Sequence, residues 1–337
     1  MRVFQIQDDW GMEHLQLATR PDPKPGPGQV LLRMRAASLN FRDLLVPNRG
    51  YGAHTGTLPL IPVSDGVGEV IEVGADVTRV KVGERACPCF TQGWISGPPT
   101  PDRQAHNLGG PLDGTMAELM CLHESGVVKV PQYLSDEQAA SLPCAALTAW
   151  SALMVQDHLA PGAKVLVQGT GGVALFALQF VKLAGAHVTV ISSSDEKLAR
   201  AKALGADAAI NYRTTPEWAK ATLAITGGRG YEHVLELGGE KTLPQSLRCV
   251  RAGGTLSMIG VLSGGVLAAP LGLVVTRQVR LQGITVGHRD GFEAMMRAID
   301  QYRIQPVVDR VFAFEALKDA MAYLKSGAHF GKICIRH

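Results

Sequence analysis

From residue 164 onward, short runs that are apolar on both faces alternate with stretches in which apolar residues recur every three or four positions. The first pattern suits strands covered on both sides of a sheet, and the second suits the helices that cover them. The order reads strand KVLVQG, helix GVALFALQFVKLAG, strand HVTVIS and helix DEKLARAKALG, followed by short strands AAINY, EHVLEL and TLSMIG. Residues 124–285 are therefore expected to form a doubly wound α/β domain around a parallel sheet, introduced by a helical stretch SDEQAASLPCAALTAWSALMV. The first third differs. VLLRMRAASLN and GVGEVIEVG read as strands broken by Pro and Gly, and a long Pro- and Gly-rich stretch follows from Pro88 to Gly114. Residues 1–123 are thus expected to be a β-rich domain, to which residues 286–337 return with two helices, FEAMMRAIDQY and FEALKDAMAYLKSG, and a last strand KICIRH.

Composition narrows the function classes. The 337 residues are 46% hydrophobic and 19% charged, with a formal charge of +3, and no clustered basic tract offers a path for a phosphate backbone. Nucleic acid is not expected as a partner. The longest apolar stretch, VALFALQFVKLAGAHVTV, is interrupted by Lys182 and Gly185, and MRVFQIQDDW lacks the pattern of a signal peptide, so no membrane association is expected. Six cysteines without a disulfide-type framework make a reduced, cytoplasmic protein the simplest expectation. The 38 glycines suit tight turns and close backbone approach to a phosphate-rich cofactor.

The strongest motif is KVLVQGTGGVALFALQFVKLAGAHVTVI, where strand, glycine turn, helix and second strand follow one another in a single βαβ unit. Gly169 allows a tight exit from the strand, Gly171 and Gly172 let backbone N–H groups reach a pyrophosphate, and Ala174 takes the third small position. Gly169, Gly171, Gly172 and Val173 are the residues expected against the dinucleotide. The second strand ends VISSSDEK, without an acidic residue at its tip for the ribose hydroxyls. Ser192 and Ser193 offer neutral donors and Lys197 a positive charge, which favours the 2′-phosphate of NADP(H) over NAD(H). The alternative is that the serines cap the next helix and Lys197 is solvated.

With these motifs in hand, the chain resembles the medium-chain dehydrogenase/reductase superfamily, and within it the zinc-free, quinone oxidoreductase-like branch. The likeness rests on AASLNFRDL, SDGVGEVIEVG, LPCAALTAW, GTGGVA, SSSDEKLARAKALGAD with INY, and the terminal HFGKICI. It implies a GroES-like catalytic domain, a Rossmann NADP-binding domain and an active-site cleft between them. Ser192, Lys197 and Tyr212 fall where NADPH-binding relatives hold the adenosine phosphate, and Asn40 and Asp43 match an NxxD pair beside the nicotinamide and its ribose. Zinc-dependent relatives carry their catalytic ligands where this chain has Asn40, Ser64 and Cys144, and one thiol with an amide and a hydroxyl does not make a tetrahedral N/S site. Cys144 reads instead as a small buried helix residue, and Cys87-Pro88-Cys89 lacks the second pair that a structural zinc lobe needs.

Reduction of a conjugated carbonyl without a metal needs donors where negative charge develops on oxygen. Tyr51, in RGYGAHTG, is the first candidate for hydrogen-bond donor or proton source, with Asn40 as the polar partner, Asp43 counted with it among the catalytic candidates and His54 ranked below; the alternative for Tyr51 is an aromatic that packs its loop. The expected function is zinc-independent, NADPH-dependent reduction of a quinone or α,β-unsaturated carbonyl. An alcohol dehydrogenase acting on an aldehyde, an enoyl-thioester reductase, zinc catalysis by an unusual ligand set and a non-catalytic NADPH-binding sensor or structural protein stay open as alternatives. The segment VRLQGITVGHR resembles the last Rossmann strand that pairs across a dimer in relatives, so a homodimer is expected. The Trp94–Gly110 loop is long enough to cover a cleft.

Overall fold

A computed structural model describes residues 1–337, except for the side chain of Ala53, and the chain divides into two compact units. One comprises Met1–Leu147 with Val286–His337, the other Thr148–Thr285.

The second unit holds a six-stranded sheet in the order Ala208–Asn211, His187–Ser192, Lys164–Gln168, Tyr231–Glu236, Val250–Met258, Arg280–Gly283, with every pairing parallel. Val165, Leu166 and Val167 are wholly buried, as expected for a central strand covered on both faces. From Lys164–Gln168 the chain steps outward through two strands, then crosses back to Tyr231–Glu236 on the other side. The order of travel reverses between those two strands, so a crevice opens beyond their carboxyl ends. Leu166, Ile191, Val234, Leu247 and Leu256 form the core beneath it.

The β-rich unit is built on a seven-stranded sheet running Val308–Ala313, Lys332–Arg336, Gln29–Ser38, Asp65–Val73, Arg85–Pro88, Val127–Lys129, with Leu119–His123 also paired to Gln29–Ser38. The tail does return here: Lys332–Arg336 lies antiparallel to Gln29–Ser38, with Cys334 opposite Ser38. That register sets Lys332 beside the residues that leave the sheet after Ser38. The strand expected to run through Asn40 stops at Ser38 because Asp43 takes over the backbone of Asn40, its carboxylate accepting from the Asn40 N–H at 2.7 Å and its own N–H donating to the Asn40 carbonyl at 2.9 Å.

The single helix expected over 135–155 is interrupted. After Asp136–Ala140, capped by Ser135 and Gln138, the turns widen to π geometry at Leu142–Ala146 and again at Ser151–Gln156. Pro143 is one cause, since it has no N–H to give the Ala139 carbonyl, and the Cys87 thiol donates to that carbonyl at 3.2 Å. Residues 124–147 cluster with the β-rich unit, because Val127–Lys129 joins its sheet and the Cys144 N–H is held by Asp65. The sequence-based boundary at 123/124 thus lies inside this unit. The Trp94–Gly110 loop is pinned at its start: Trp94 is buried against His288, and the carbonyls of Trp94 and Ile95 accept from the N–H groups of Arg289 and Asp290 at 3.0 Å.

Candidate active site

The carboxyl edge of the parallel sheet gathers the residues expected to hold a dinucleotide. Gly169 follows the central strand with φ +79°, a conformation that favours glycine, and its N–H donates to the Ile191 carbonyl at 2.6 Å. Gly171 begins the 12-residue helix Gly172–Leu183 without any side-chain cap, and Gly172 and Val173 form its half-buried first turn. Unpartnered N–H groups at such a start are suited to an anion. Ser192 ends the neighbouring strand, and its carbonyl accepts from the Tyr212 N–H at 3.0 Å, so Gly169, Ser192 and Tyr212 stand at the tips of three adjacent strands. Ser194 caps the helix Asp195–Ala203 by accepting from the Lys197 N–H at 3.3 Å. Ser192 and Ser193 are not used as caps there. Asp195, the first acidic residue past the strand, is exposed and accepts from Asn211 Nδ2 at 2.9 Å.

Two residues that sequence reasoning missed shape the floor of this crevice. Gln168 Oε1 accepts from the N–H groups of Leu237 and Gly238 at 3.1 and 3.0 Å, and its Nε2 donates to Glu236 at 2.8 Å. Glu236, 2% exposed, also accepts from Gly238 N–H, Gly239 N–H, Thr242 and Ser246. A buried carboxylate with this many donors fixes the Leu237–Gly239 turn opposite Gly169.

In the β-rich unit a second polar cluster forms where Gln29–Ser38 and Lys332–Arg336 meet. Lys332, 3% exposed, donates to the Leu39 carbonyl and to Asn40 Oδ1, each at 2.6 Å, and lies 4.0 Å from Asp65 Oδ2. Asp65, fully buried, accepts from Ser64 Oγ at 2.8 Å and from the Cys144 N–H at 3.0 Å. Arg42 donates to the carbonyls of Leu108 and Gly110 at 2.8 and 3.1 Å, its guanidinium standing 4.9 Å from the Phe90 ring centre and 5.6 Å from that of Tyr51. Tyr51 is thereby brought to the cluster while remaining 44% exposed, open to a ligand. His54 is exposed, and its N–H donates to the Tyr51 carbonyl at 3.2 Å. Cys144 is half-buried within its π-helical turn, more open than a core residue.

Burial sets the electrostatics. It pushes the Asp43 carboxyl up to about 6, against the opposing pull of Arg42. Asp65 is raised for the same reason, with Lys332 opposing. Desolvation also raises the Tyr51 phenol, which stays neutral and able to donate, and it raises the Cys144 thiol with help from Asp65. Asn40 Nδ2 and Asp43 Oδ1 are buried without hydrogen-bond partners among the described residues. Each still has a charged neighbour: the Asn40 side chain bears on the Asp65 carboxylate and helps hold it down, and Arg42 Nη1 lies 3.9 Å from Asp43 Oδ1.

Comparison with known proteins agrees with this architecture. Residues 26–132 match the alcohol dehydrogenase GroES-like domain, and residues 172–301 match the zinc-binding dehydrogenase domain. A zinc-type alcohol dehydrogenase-like protein of Schizosaccharomyces pombe is 45% identical over 319 residues, covering 93% of this chain and 92% of its own length. The chain belongs to the medium-chain dehydrogenase/reductase superfamily. Among solved superfamily structures, a candidate alcohol dehydrogenase of Sinorhizobium meliloti 1021 superposes with a TM-score of 0.94 at 42% identity, covering 100% of this chain and 98% of that one. An NAD-dependent alcohol dehydrogenase superposes with a TM-score of 0.91 at 31% identity over 100% of both chains. As a member of this superfamily the protein is an oxidoreductase of the alcohol dehydrogenase-like type, with a GroES-like unit and a Rossmann unit. Its departures from the zinc-dependent pattern lie at Asn40 and Ser64: the amide oxygen of the first is taken by Lys332, and the hydroxyl of the second donates to Asp65.

Proposed function

We propose that this protein is an NADPH-dependent reductase of quinones or α,β-unsaturated carbonyls that works without zinc. The observation that carries the reading is the state of the three side chains at the zinc-ligand positions. Asn40 Oδ1 is occupied by an ammonium, Ser64 is bound to Asp65, and Cys144 is left as the one sulfur among the three. A divalent ion placed there would face the fixed charge of Lys332, and among the described residues no three His, Cys, Asp or Glu side chains gather into an alternative site.

Preference for NADP(H) rests on the tips of the second and third strands. Three serines follow Ile191, Lys197 stands in the first turn of the next helix, and Tyr212 is exposed beside Ser192. The glycine turn and the uncapped helix start would take the pyrophosphate through Gly169, Gly171, Gly172 and Val173. When bound, the reduced nicotinamide supplies the hydride. The chain supplies the polarisation: the Tyr51 hydroxyl donates to the acceptor oxygen and can yield its proton, while Asn40 and Asp43 orient the reacting groups. Aldehyde reduction is a second reading, favoured by the alcohol dehydrogenase names of the matched proteins.

An acceptor panel of quinones, enones, enoyl-thioesters and aldehydes, run with NADPH and NADH, tests the proposal. Oxidation of NADPH by a quinone or enone is expected. Turnover with aldehydes alone selects the second reading, and tight NADPH binding without turnover selects a sensor. In the same assay Tyr51→Phe is expected to lower kcat about 100-fold with little change in cofactor affinity. An unchanged rate would return Tyr51 to packing.

The reading includes a homodimer and a reducing, cytoplasmic setting for six free thiols. Arg280–Gly283 is an edge strand, and beside it in sequence Val261, Leu262, Val266, Leu267, Leu271 and Val275 are 56–72% exposed, an unusual density of apolar side chains. Pairing of two such edges would cover them. Light scattering after size exclusion should give twice the 35.9 kDa chain mass, and a monomer at all concentrations would remove this part.

A further inference from the structure

We propose that Arg42 is a positioning residue of the reduction, holding the Tyr51 ring where its hydroxyl serves the acceptor and steadying the charge left when that hydroxyl gives its proton. The inference rests on the reductase reading above. Arg42 is fixed from several sides. Its Nη1 and Nη2 donate to the carbonyls of Leu108 and Gly110 at 2.8 and 3.1 Å, so backbone atoms set the plane of the guanidinium. The Phe90 ring centre lies 4.9 Å from it, and Asp43 Oδ1 stands 3.9 Å from Nη1. A cation held in this way cannot follow a moving neighbour, and the Tyr51 ring centre is 5.6 Å away, within reach of a cation–π contact. The backbone carries the same tie. Tyr51 opens the short turn Gly52–Thr55, and the Thr55 carbonyl lies 2.8 Å from where a Cβ on Gly110 would stand, so the Gly110 that takes Arg42 packs directly against that turn. Arg42 is 9% exposed and Tyr51 is open to solvent, so the first acts through the second. Burial raises the phenol and the Arg42 charge opposes it, while Cys144 and Asp43 side with burial. In the reaction the acceptor takes a hydride at carbon from the reduced nicotinamide and the Tyr51 proton at oxygen. The phenolate so formed stands beside the guanidinium, and water returns the proton to the exposed side chain.

A double-mutant cycle with Tyr51→Phe tests this. In the wild-type background Arg42→Met is expected to lower kcat for the best acceptor about tenfold or more, with KM and the NADPH Kd from fluorescence titration within about threefold. In the Tyr51→Phe background, where no hydroxyl is left to position, the same substitution should lower kcat by less than about twofold. Arg42→Lys, which returns a cation without the fork, should recover part of the loss in the first background. A role in the fold alone would lower Tm and act equally in both backgrounds. Equal falls in the two backgrounds, or wild-type kcat in Arg42→Met or in Tyr51→Phe, therefore overturn the inference. If Arg42→Met does not fold, Arg42→Gln, which keeps an amide donor for the carbonyls and drops the charge, takes its place in the cycle under the same criteria. Failure of the reductase reading shows differently, since the wild-type protein then oxidises NADPH with no acceptor and the inference falls with it.

Discussion

Replacing Lys197 with alanine is expected to weaken NADPH binding about 10- to 100-fold while leaving NADH binding within about twofold. The side chain stands in the first turn of Asp195–Ala203, one helix turn past the serines that end the second strand. Only NADPH carries a 2′-phosphate, and a charge-assisted bond to it is worth ~1.5–3 kcal/mol, which sets the size of the change. The substitution keeps the helix cap, which uses the backbone N–H of Lys197, bound to Ser194 Oγ. Alanine is also the better helix former. Titration of both reduced nucleotides against wild type and variant reads the result. Equal losses would place the phosphate elsewhere, and the choice of NADP(H) would go with it.

Asp65→Ala is expected to cost the fold ~3–5 kcal/mol, the loss seen when one member of a buried ion pair is removed. Three groups lose their acceptor or counter-charge at once: the Ser64 hydroxyl, the Cys144 N–H and the Lys332 ammonium. All lie in or against the buried region, where water cannot compensate at once for what the carboxylate provided. Asp65→Asn keeps an oxygen for the Cys144 N–H and should lose less. Guanidinium unfolding of the three proteins with a common m-value gives the ranking, and a loss below about 1 kcal/mol for alanine would show that the pair is not held as described.

The Rossmann unit was legible because its signals are local. Doubly apolar runs, a glycine turn and a serine-rich strand end each lie within a few residues, and Gly169, Ser192, Lys197 and Tyr212 fall along one sheet edge as the alternation of strand and helix demands. The polar cluster of the β-rich unit was only half legible. Asn40, Asp43 and Tyr51 sit in a single short segment, but Lys332 reaches Asn40 across 292 positions of sequence through an antiparallel register that no local pattern announces. A signal was present all the same: in GKICI a lysine stands directly before an apolar run, and a lysine there must be paired if it is buried. Arg42 is silent in the sequence for a related reason. Its partners are carbonyls at Leu108 and Gly110, in a stretch without periodicity. The break in the 135–155 helix was signalled by Pro143, and the loop after Trp94 is tied down by backbone bonds that side-chain chemistry does not reveal.

The central claim is that organic groups polarise the acceptor where relatives use a metal. Its most direct test is NADPH oxidation with an enone or quinone before and after exhaustive treatment with a zinc chelator, with metal content measured on the same samples. An unchanged turnover number at well under one zinc per chain is the predicted result. Loss of activity on chelation, restored by one equivalent of zinc, would contradict it.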